Sequence, residues 1–385
     1  MQSRREFLKN ITAFGALASL PIQFALGAEN ATKPENEHFV VYRNEILRKK
    51  TPRIIDIPDV DGFKVLKGDF HAHTLYSDGL VMPKDRVFEA VDNGLDVLSI
   101  TDHIEYRPYF GGKSTQLVEK NDDHNISYEI AKPEADKRNL ILVRGTEITK
   151  SVMPPGHFNA LFLQDANQIA AKVDDWRDML AVAADQGSFL LWNHPGWVAP
   201  RSGGLQQGEP MQFFDEHEKA RERGHLHGVE VFNSSEFYPI ALDWCNERNL
   251  VPFANSDIHE SEWNTYGYQS TLRPMNLILA KERTHDSVRE AFFAGRTIGW
   301  AAGMILGRQL WVEKLFRSSV ELDIKPDRIS MKNKSDIPCD FELDGKTHSL
   351  VPKGTLEIAR NVGMQKLAVM NWLVGMAQPL EISLS

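Results

Sequence analysis

The stretch GDFHAHTLYSDG, residues 68–79, sets two histidines one residue apart and follows them with an acid and a glycine. In a strand, residues i and i+2 point to the same face, so His71 and His73 would project side by side. Two neutral imidazoles on one face form half of a metal site. One such pair alone reads equally well as surface histidines on an edge strand. Further short motifs carry the same residue types. ITDH holds Asp102 and His103, GTEIT holds Glu147, GHFNALFL opens on His157, NHPG holds His194 and SDIH holds Asp257 and His259. Singly, each has a plain structural reading: a helix N-cap for TDH, a solvated strand end for Glu147, a turn for NHPG and a capped loop for SDIH. Their joint placement is the informative observation.

That placement depends on the elements around them. Short apolar runs at 64–70, 96–100, 139–146, 157–163, 188–193, 227–232 and 251–256 read as strands. Helical patterns at 83–93, 128–138, 174–186, 210–223, 237–248 and 285–294 alternate with them. Such alternation predicts an α/β fold with mainly parallel strands, and about seven strand–helix units predict a barrel. His71, His73, Glu147, His194, Asp102, His103, Asp257 and His259 all fall at the carboxyl ends of predicted strands, with Asp78 in the loop after the first. In a parallel barrel those ends open on one rim, where active sites assemble. His157 stands at a strand's start, which predicts that its strand runs the other way.

Six imidazoles (His71, His73, His103, His157, His194, His259) and three carboxylates (Asp78, Glu147, Asp257) are too many for one four-coordinate ion. They suit two or three ions with bridging ligands, Glu147 or Asp257 serving as the bridge. A histidine and carboxylate set without thiolates fits Mn²⁺, Fe²⁺ or Zn²⁺. Asp102 is expected behind the ligands, fixing an imidazole tautomer. The other histidines lack such placement.

In this order the motifs HAHTLYSDG, ITDH, GTEIT, NHPG and SDIH resemble the PHP (polymerase and histidinol phosphatase) superfamily, over residues 64 to 305. The resemblance implies a distorted seven-stranded (β/α)7 barrel holding two or three metal ions, and a phosphoesterase activity. Matched motif by motif, it implies His71, His73, Asp78, His103, Glu147, His157, His194, Asp257 and His259 as metal ligands. The expected reaction is in-line attack of a metal-bridging hydroxide on the phosphorus of a small phosphomonoester or phosphodiester. Arg107 and Lys113, after TDH, and Arg201, after NHPG, are candidate phosphate clamps, since arginine offers a bidentate fork. With His103 on the metals, His259 or Asp102 could protonate the leaving oxygen. Aromatics in the same loops (Tyr106, Tyr109, Phe110, Trp197) and beyond SDIH (Trp263, Tyr266, Tyr268) could shape the pocket. Two other readings share these residues. One is an amidohydrolase-like hydrolase of C–N or C–O ester bonds, which calls for a bridging lysine, and Lys150 lies just past Glu147. The other is a non-catalytic metal- or glycan-binding protein.

The rest of the chain sets the context. Of 385 residues, 42% are apolar, enough for a large core, and the formal charge is −9 with no basic stripe. A long nucleic acid is therefore not an expected partner. Residues 1–28 pair a basic start (Arg4, Arg5, Lys9) with a short apolar run and a small-residue cleavage region. SRREFLK resembles the twin-arginine export signal, which implies recognition by that machinery, a periplasmic destination and no stable membrane anchor. Residues 29–60 read as a lead-in with a helix near 40–49, and 61–305 as the barrel. The strand-rich stretch 306–385, with Asp-Gly and Pro-Lys-Gly turns, reads as a small all-β, sandwich-like C-terminal domain. The only cysteines, Cys245 and Cys339, are expected as unpaired buried thiols.

Overall fold

Strand and helix alternate as their residue periods dictate. In the computed structural model, which describes residues 52–109, 122–267, 271–360 and 365–384, the order is β1 (Lys64–Asp69), α1 (Pro83–Asp92), β2 (Val97–Ile100), α2 (Ile126–Lys137), β3 (Ile141–Thr149), β4 (His157–Leu161), α3 (Ala166–Ala170), α4 (Trp176–Asp185), β5 (Phe189–Trp192), α5 (Asp215–Glu222), β6 (Gly228–Asn233), β7 (Glu236–Phe237), α6 (Pro239–Arg248) and β8 (Val251–Asn255). There follow α7 (Glu262–Tyr266), β9 (Met275–Ala280), α8 (His285–Phe293), β10 (Thr297–Ala301), β11 (Met304–Leu306), α9 (Gln309–Ser319), β12 (Val320–Ile324), β13 (Arg328–Asn333), β14 (Cys339–Leu343), β15 (Lys346–Leu350), β16 (Thr355–Ala359), β17 (Lys366–Gly375) and β18 (Gln378–Ser383). The signal segment 1–28, the helix near 40–49, Phe110, Lys113 and Tyr268 lie outside the described residues.

The helices bury one stripe each. In α1, with proline in the first turn, Pro83, Arg86, Val87 and Ala90 face inward at i, i+3, i+4 and i+7. Helix α8, capped by the Thr284 side chain, buries Val288, Ala291 and Phe292.

One large sheet runs in the order β15-β14-β17-β11-β10-β9-β1-β2-β3-β4-β5-β6, with β7 and β8 also on β6 and β18 on β17. Pairs β1–β2, β2–β3, β5–β6 and β6–β8 are parallel. Strand β4 is antiparallel to both neighbours, so the start of β4 lies beside the ends of β3 and β5. This is the reversal that His157's position predicted.

The closed barrel is a point of difference. Among the described residues, no ladder joins β8 to β9 or β10. Side chains bridge that gap instead: Ala254 N–H donates to Asn276 Oδ1 (2.9 Å), Asn276 Nδ2 donates to the Ala254 carbonyl (2.8 Å) and Thr297 Oγ1 to the Pro252 carbonyl (3.0 Å). The approach is close enough that a Cβ on Gly299 would sit 2.9 Å from that of Ala254.

Inside this ring the strand alternation separates two layers. Leu66, Val97, Val143, Leu161, Phe189, Leu191, Val251, Phe253 and Ile278 form an apolar floor with Phe70 and with Phe292 of α8. Two residues further toward the rim, the same faces turn polar: Asn159, Asn193, Asn255 and Asn276 are buried there. They hydrogen-bond within the ring, for example Asn255 Oδ1 from Phe70 N–H (3.1 Å) and Asn159 Nδ2 to the Phe70 carbonyl (3.1 Å).

Beyond residue 306 the strands expected from the sequence are present, and α9 is an addition; its buried Val312, Leu315, Phe316 and Ser319 trace a helical stripe. Strand β17 pairs in parallel with β11, which carries the large sheet into this region. Strands β12, β13 and β16 form a separate three-stranded antiparallel sheet. Its Ile329 and Met331 share an apolar cluster with Leu367, Val369, Trp372 and Leu380 of the large sheet. Cys245 and Cys339 are free and buried, as expected.

Candidate metal centre

Backbone geometry brings the scattered motifs together. The chain leaving β1 bridges to the chain leaving β8 through Ala72 and Ile258, and the chain leaving β2 bridges to β3 through His103 and Glu147. His71 and His73 project side by side, their ring centroids 5.1 Å apart. Two of the gathered residues, His194 and Asp257, hold positive φ of 29° and 50°, which turns the chain sharply and aims their side chains inward.

All nine candidate ligands meet in four overlapping groups, in each of which one atom per residue lies within 4.8 Å of the others. The groups are His73, Asp78, His103 and His259; His71, His73 and Glu147; His71, His194 and Asp257; and Glu147, His157 and His194. Glu147 is the hinge. Its Oε2 lies 3.4 Å from both His71 Nε2 and His73 Nε2 and 2.9 Å from His103 Nδ1. Its Oε1 lies 3.1 Å from His157 Nδ1. Asp257 Oδ1 lies 3.2 Å from His71 Nε2 and 3.0 Å from His73 Nε2. Asp78 faces His103 Nε2 at 3.4 Å and His259 Nε2 at 3.2 Å.

The electrostatics follow from crowding. Burial pushes Glu147 up, but His103 and His71 outweigh it and hold its carboxyl well below the usual range. Asp257 is depressed likewise against its burial, by His71 and His73, and Asp78 by His103 and His259. Burial lowers His71 and His103, yet their carboxylate neighbours raise both well above the ordinary imidazole value. His259 is raised to about 9, Asp78 and Asp257 overcoming burial. His73 goes the other way, lowered to about 4 by burial and by the facing His259 and His103.

The donor set fits divalent cations on a further observation. His71 Nε2, His73 Nε2, Glu147 Oε2, His194 Nδ1 and Asp257 Oδ1 are buried and make no hydrogen bond. Buried polar atoms without partners are rare and costly, and here five of them belong to one cluster. Nitrogen and carboxylate donors that converge without hydrogen bonds are what a cation requires. Seven of the nine residues, all but His71 and His73, line a cavity of about 650 Å³, together with Tyr106, Trp197, Arg201, Ser234, Ser235 and Glu236.

Among solved structures, the chain resembles a two-domain protein containing a predicted PHP-like metal-dependent phosphoesterase, from Bacteroides vulgatus ATCC 8482. The TM-score is 0.78 and the identity 32%, over 87% of this chain and 99% of that one. The chain belongs to the PHP-like metal-dependent phosphoesterases. Likenesses to a protein provisionally named a metal-dependent phosphoesterase, from Bifidobacterium adolescentis (18% identity, TM-score 0.38, 59% of this chain and 96% of that one), and to an amidohydrolase from Chromobacterium violaceum (14%, 0.37, 51% and 89%) are too slight to bear on the site. No family model and no curated protein matches the chain.

In this PHP-like site the remaining expectations fare unevenly. Asp102 touches no imidazole. It accepts hydrogen bonds from Thr74 N–H, Thr74 Oγ1 and Ser77 Oγ, each at 2.6 Å, and from Ser127 Oγ. It anchors the loop after β1 and reaches His73 only through Ser77, whose Oγ lies 3.4 Å from His73 Nδ1. Arg107 is also redirected: its Nε donates to the Tyr76 carbonyl (2.8 Å), and it does not line the cavity. Arg201 does line it. Its turn is locked onto the site, since His157 Nε2 donates to the Ser202 carbonyl (2.6 Å), leaving Nδ1 for Glu147 and the cluster. The next residue, Gly203, has φ +91°, and a Cβ there would fall 1.9 Å from the Lys150 carbonyl and 2.9 Å from His157 Nε2.

The sequence reading missed Glu230. This fully buried carboxylate on β6 accepts from Asn233 Nδ2 (2.7 Å), Asn255 Nδ2 (2.9 Å) and His194 N–H (2.8 Å), and lies 2.8 Å from His71 Nδ1. It fixes the His71 tautomer, with the proton on Nδ1 and Nε2 free for the cluster. Asn193 Nδ2 donates to Glu147 Oε1 (2.8 Å) and orients that carboxylate. The available signal was a charged residue inside the all-buried run GVEVFN.

Proposed function

We propose that the chain is an exported, divalent-metal-dependent phosphoesterase that hydrolyses a small phosphomonoester or phosphodiester. The observation that carries this reading is the set of five buried nitrogen and oxygen atoms that converge without hydrogen bonds at and beneath the cavity of a PHP-like chain. His71, His73, Glu147 and Asp257 would hold one cation, Glu147, His157 and His194 a second, and Asp78, His103 and His259 a third, with Mn²⁺, Fe²⁺ or Zn²⁺ as the ions. When bound, such ions supply Lewis acidity, bringing the pKa of a water toward 7 and drawing charge from a phosphoryl oxygen.

The chain's own groups do the rest. Glu147 links the cation groups and Glu230 keeps His71 in the binding tautomer. Arg201 has no hydrogen-bond or ion-pair partner among the described residues, so its fork is free for a phosphoryl group. His259 donates Nδ1–H to the Asp257 carbonyl (2.8 Å), which leaves only Nε2 toward the cavity. An atom that holds a cation carries no proton, so this reading makes His259 a ligand and leaves the departing oxygen to solvent. Lys150 donates to the Val173 carbonyl (2.7 Å) and pairs with Glu105 (2.9 Å), so it does not bridge cations as an amidohydrolase-like site would need. The division at residue 305 into a catalytic unit and a C-terminal β unit belongs to the same proposal, as does recognition of residues 1–28 by the twin-arginine machinery.

Turnover of p-nitrophenyl phosphate or its bis ester with Mn²⁺, lost on chelation and restored by metal, is the expected result. No turnover of either by metal-loaded protein would end the reading. His103→Ala should abolish the activity. Replacing Arg4 and Arg5 by lysine should keep the protein out of the periplasmic fraction, and unchanged fractionation would remove the export claim.

A further inference from the structure

Arg86 projects from the inward stripe of α1 and is completely buried behind the cluster rather than in its cavity. A guanidinium has five N–H groups, and here every one has an acceptor. Nε donates to the His73 carbonyl (2.8 Å). Nη1 donates to Glu89 Oε2 (2.6 Å) and to the Glu260 carbonyl (2.7 Å). Nη2 donates to the carbonyls of Ile258 (3.0 Å) and His259 (2.7 Å).

Three successive carbonyls, 258 to 260, thus converge on one side chain. Regular strand sends consecutive carbonyls to opposite sides, so this segment cannot be strand. Asp257, at φ 50°, begins the departure. With the carbonyls turned toward Arg86, the Asp257 and His259 side chains are delivered to the opposite side, against His73 and Asp78. The fourth carbonyl, of His73, belongs to the loop after β1. That loop also donates His73 N–H to Ile258 O (3.0 Å) and Leu80 N–H to His259 O (2.7 Å). Glu89 closes the arrangement by accepting Glu262 N–H through its other oxygen (2.9 Å).

The geometry points to Arg86 as the positioning residue that sets the loop after β8 against the loop after β1, and so assembles the Asp78, His103 and His259 group. It touches neither substrate nor cation. Glu147, His157 and His194 have no contact with it, so their group stands without it. Lysine, with three donors and no planar fork, cannot serve five acceptors. The inference rests on reading that outer group as cation-holding.

The test is Arg86→Lys in the full chain, read in two ways. Mn²⁺ content after dialysis should fall relative to the unaltered protein, with binding at the Asp78, His103 and His259 step weakened roughly 10-fold or more and the ion shared by His73 and Asp257 loosened with it, while the ion held by Glu147, His157 and His194 stays. His259→Ala should lose the Asp78, His103 and His259 ion. Amide exchange without added metal should quicken at residues 73–80 and 257–262 and nowhere else; this readout stands even if the unaltered protein holds no ion, the result that would sink the functional reading instead. Should the lysine variant not fold, Glu89→Gln decides, with roughly 3-fold weaker binding at the same step and the same local exchange. Unaltered ion content and exchange, or loss of all ions together with exchange throughout the chain, would overturn the assignment.

Discussion

Two halves of one cluster are built differently. The Glu147, His157 and His194 half sits on or beside strand ends, and those side chains are 1%, 6% and 8% exposed. The Asp78, His103 and His259 half rests largely on loops, with Asp78 20% and His259 37% exposed. In the first half each orienting partner is a short contact: Asn193 on Glu147 and Glu230 on the His194 backbone, both buried, and Ser202 O on His157, part-buried. In the second, the loops are tied from behind by Asp102 and Arg86. The lesson is that a sheet supplies position by its register, whereas a loop must have position supplied to it by buried polar groups.

That contrast can be broken most forcefully at its hinge. Glu147→Gln should lower activity on the order of 10³-fold and remove ions from both halves, since a charge facing five imidazoles is lost. Metal analysis and turnover together check it; loss from one half only would show that the halves are independent. Next in size, His259→Ala should cost roughly 10²-fold in turnover while the strand-borne half keeps its ion. Glu230→Gln leaves an acceptor for His71 but no charge, and about a 10-fold loss of metal affinity is expected, measurable by calorimetry.

The smallest effect is a proton count. His71, His103 and His259 have raised values, His259 to about 9, so all three carry protons at pH 7 in metal-free protein. Cations bind neutral imidazole, so loading at pH 7 should release about three protons, and affinity should climb as pH rises toward 9. The same groups add stability to the metal-free fold that is full below about 6.5 and lost as pH rises through their folded values. Calorimetry in buffers of different ionisation enthalpy reads the release; none at pH 7 would contradict the charge pattern described for these three histidines.

Much of this was legible from residue order. The seven expected strands appear within a few residues of their places, and the ligand motifs stand at their ends because a strand's last inward residue is the one that meets the cavity. Even the reversed β4 was implied by His157 heading its apolar run. What stayed hidden depends on partners distant in sequence. Arg86 reads as a helix-surface cation until its place on the Val87 and Ala90 stripe is weighed. Glu230, between Val229 and Val231, shows its inward direction only once β6 has neighbours. Asp102 was expected on an imidazole, but the hydroxyls of Thr74, Ser77 and Ser127 reach it first. The opening between β8 and β9 is likewise a matter of side-chain bridges, Asn276 and Thr297, that no strand pattern encodes.

Gly203 carries a practical implication. Because the backbone there runs so near Lys150 and the His157 ring that only hydrogen fits, the turn bearing Arg201 and the imidazole beneath it behave as one mechanical piece. Anyone grafting a new 196–212 segment to retune what the cavity accepts must keep that single residue bare, or the graft will pull on the cation cradle as well as on the ligand.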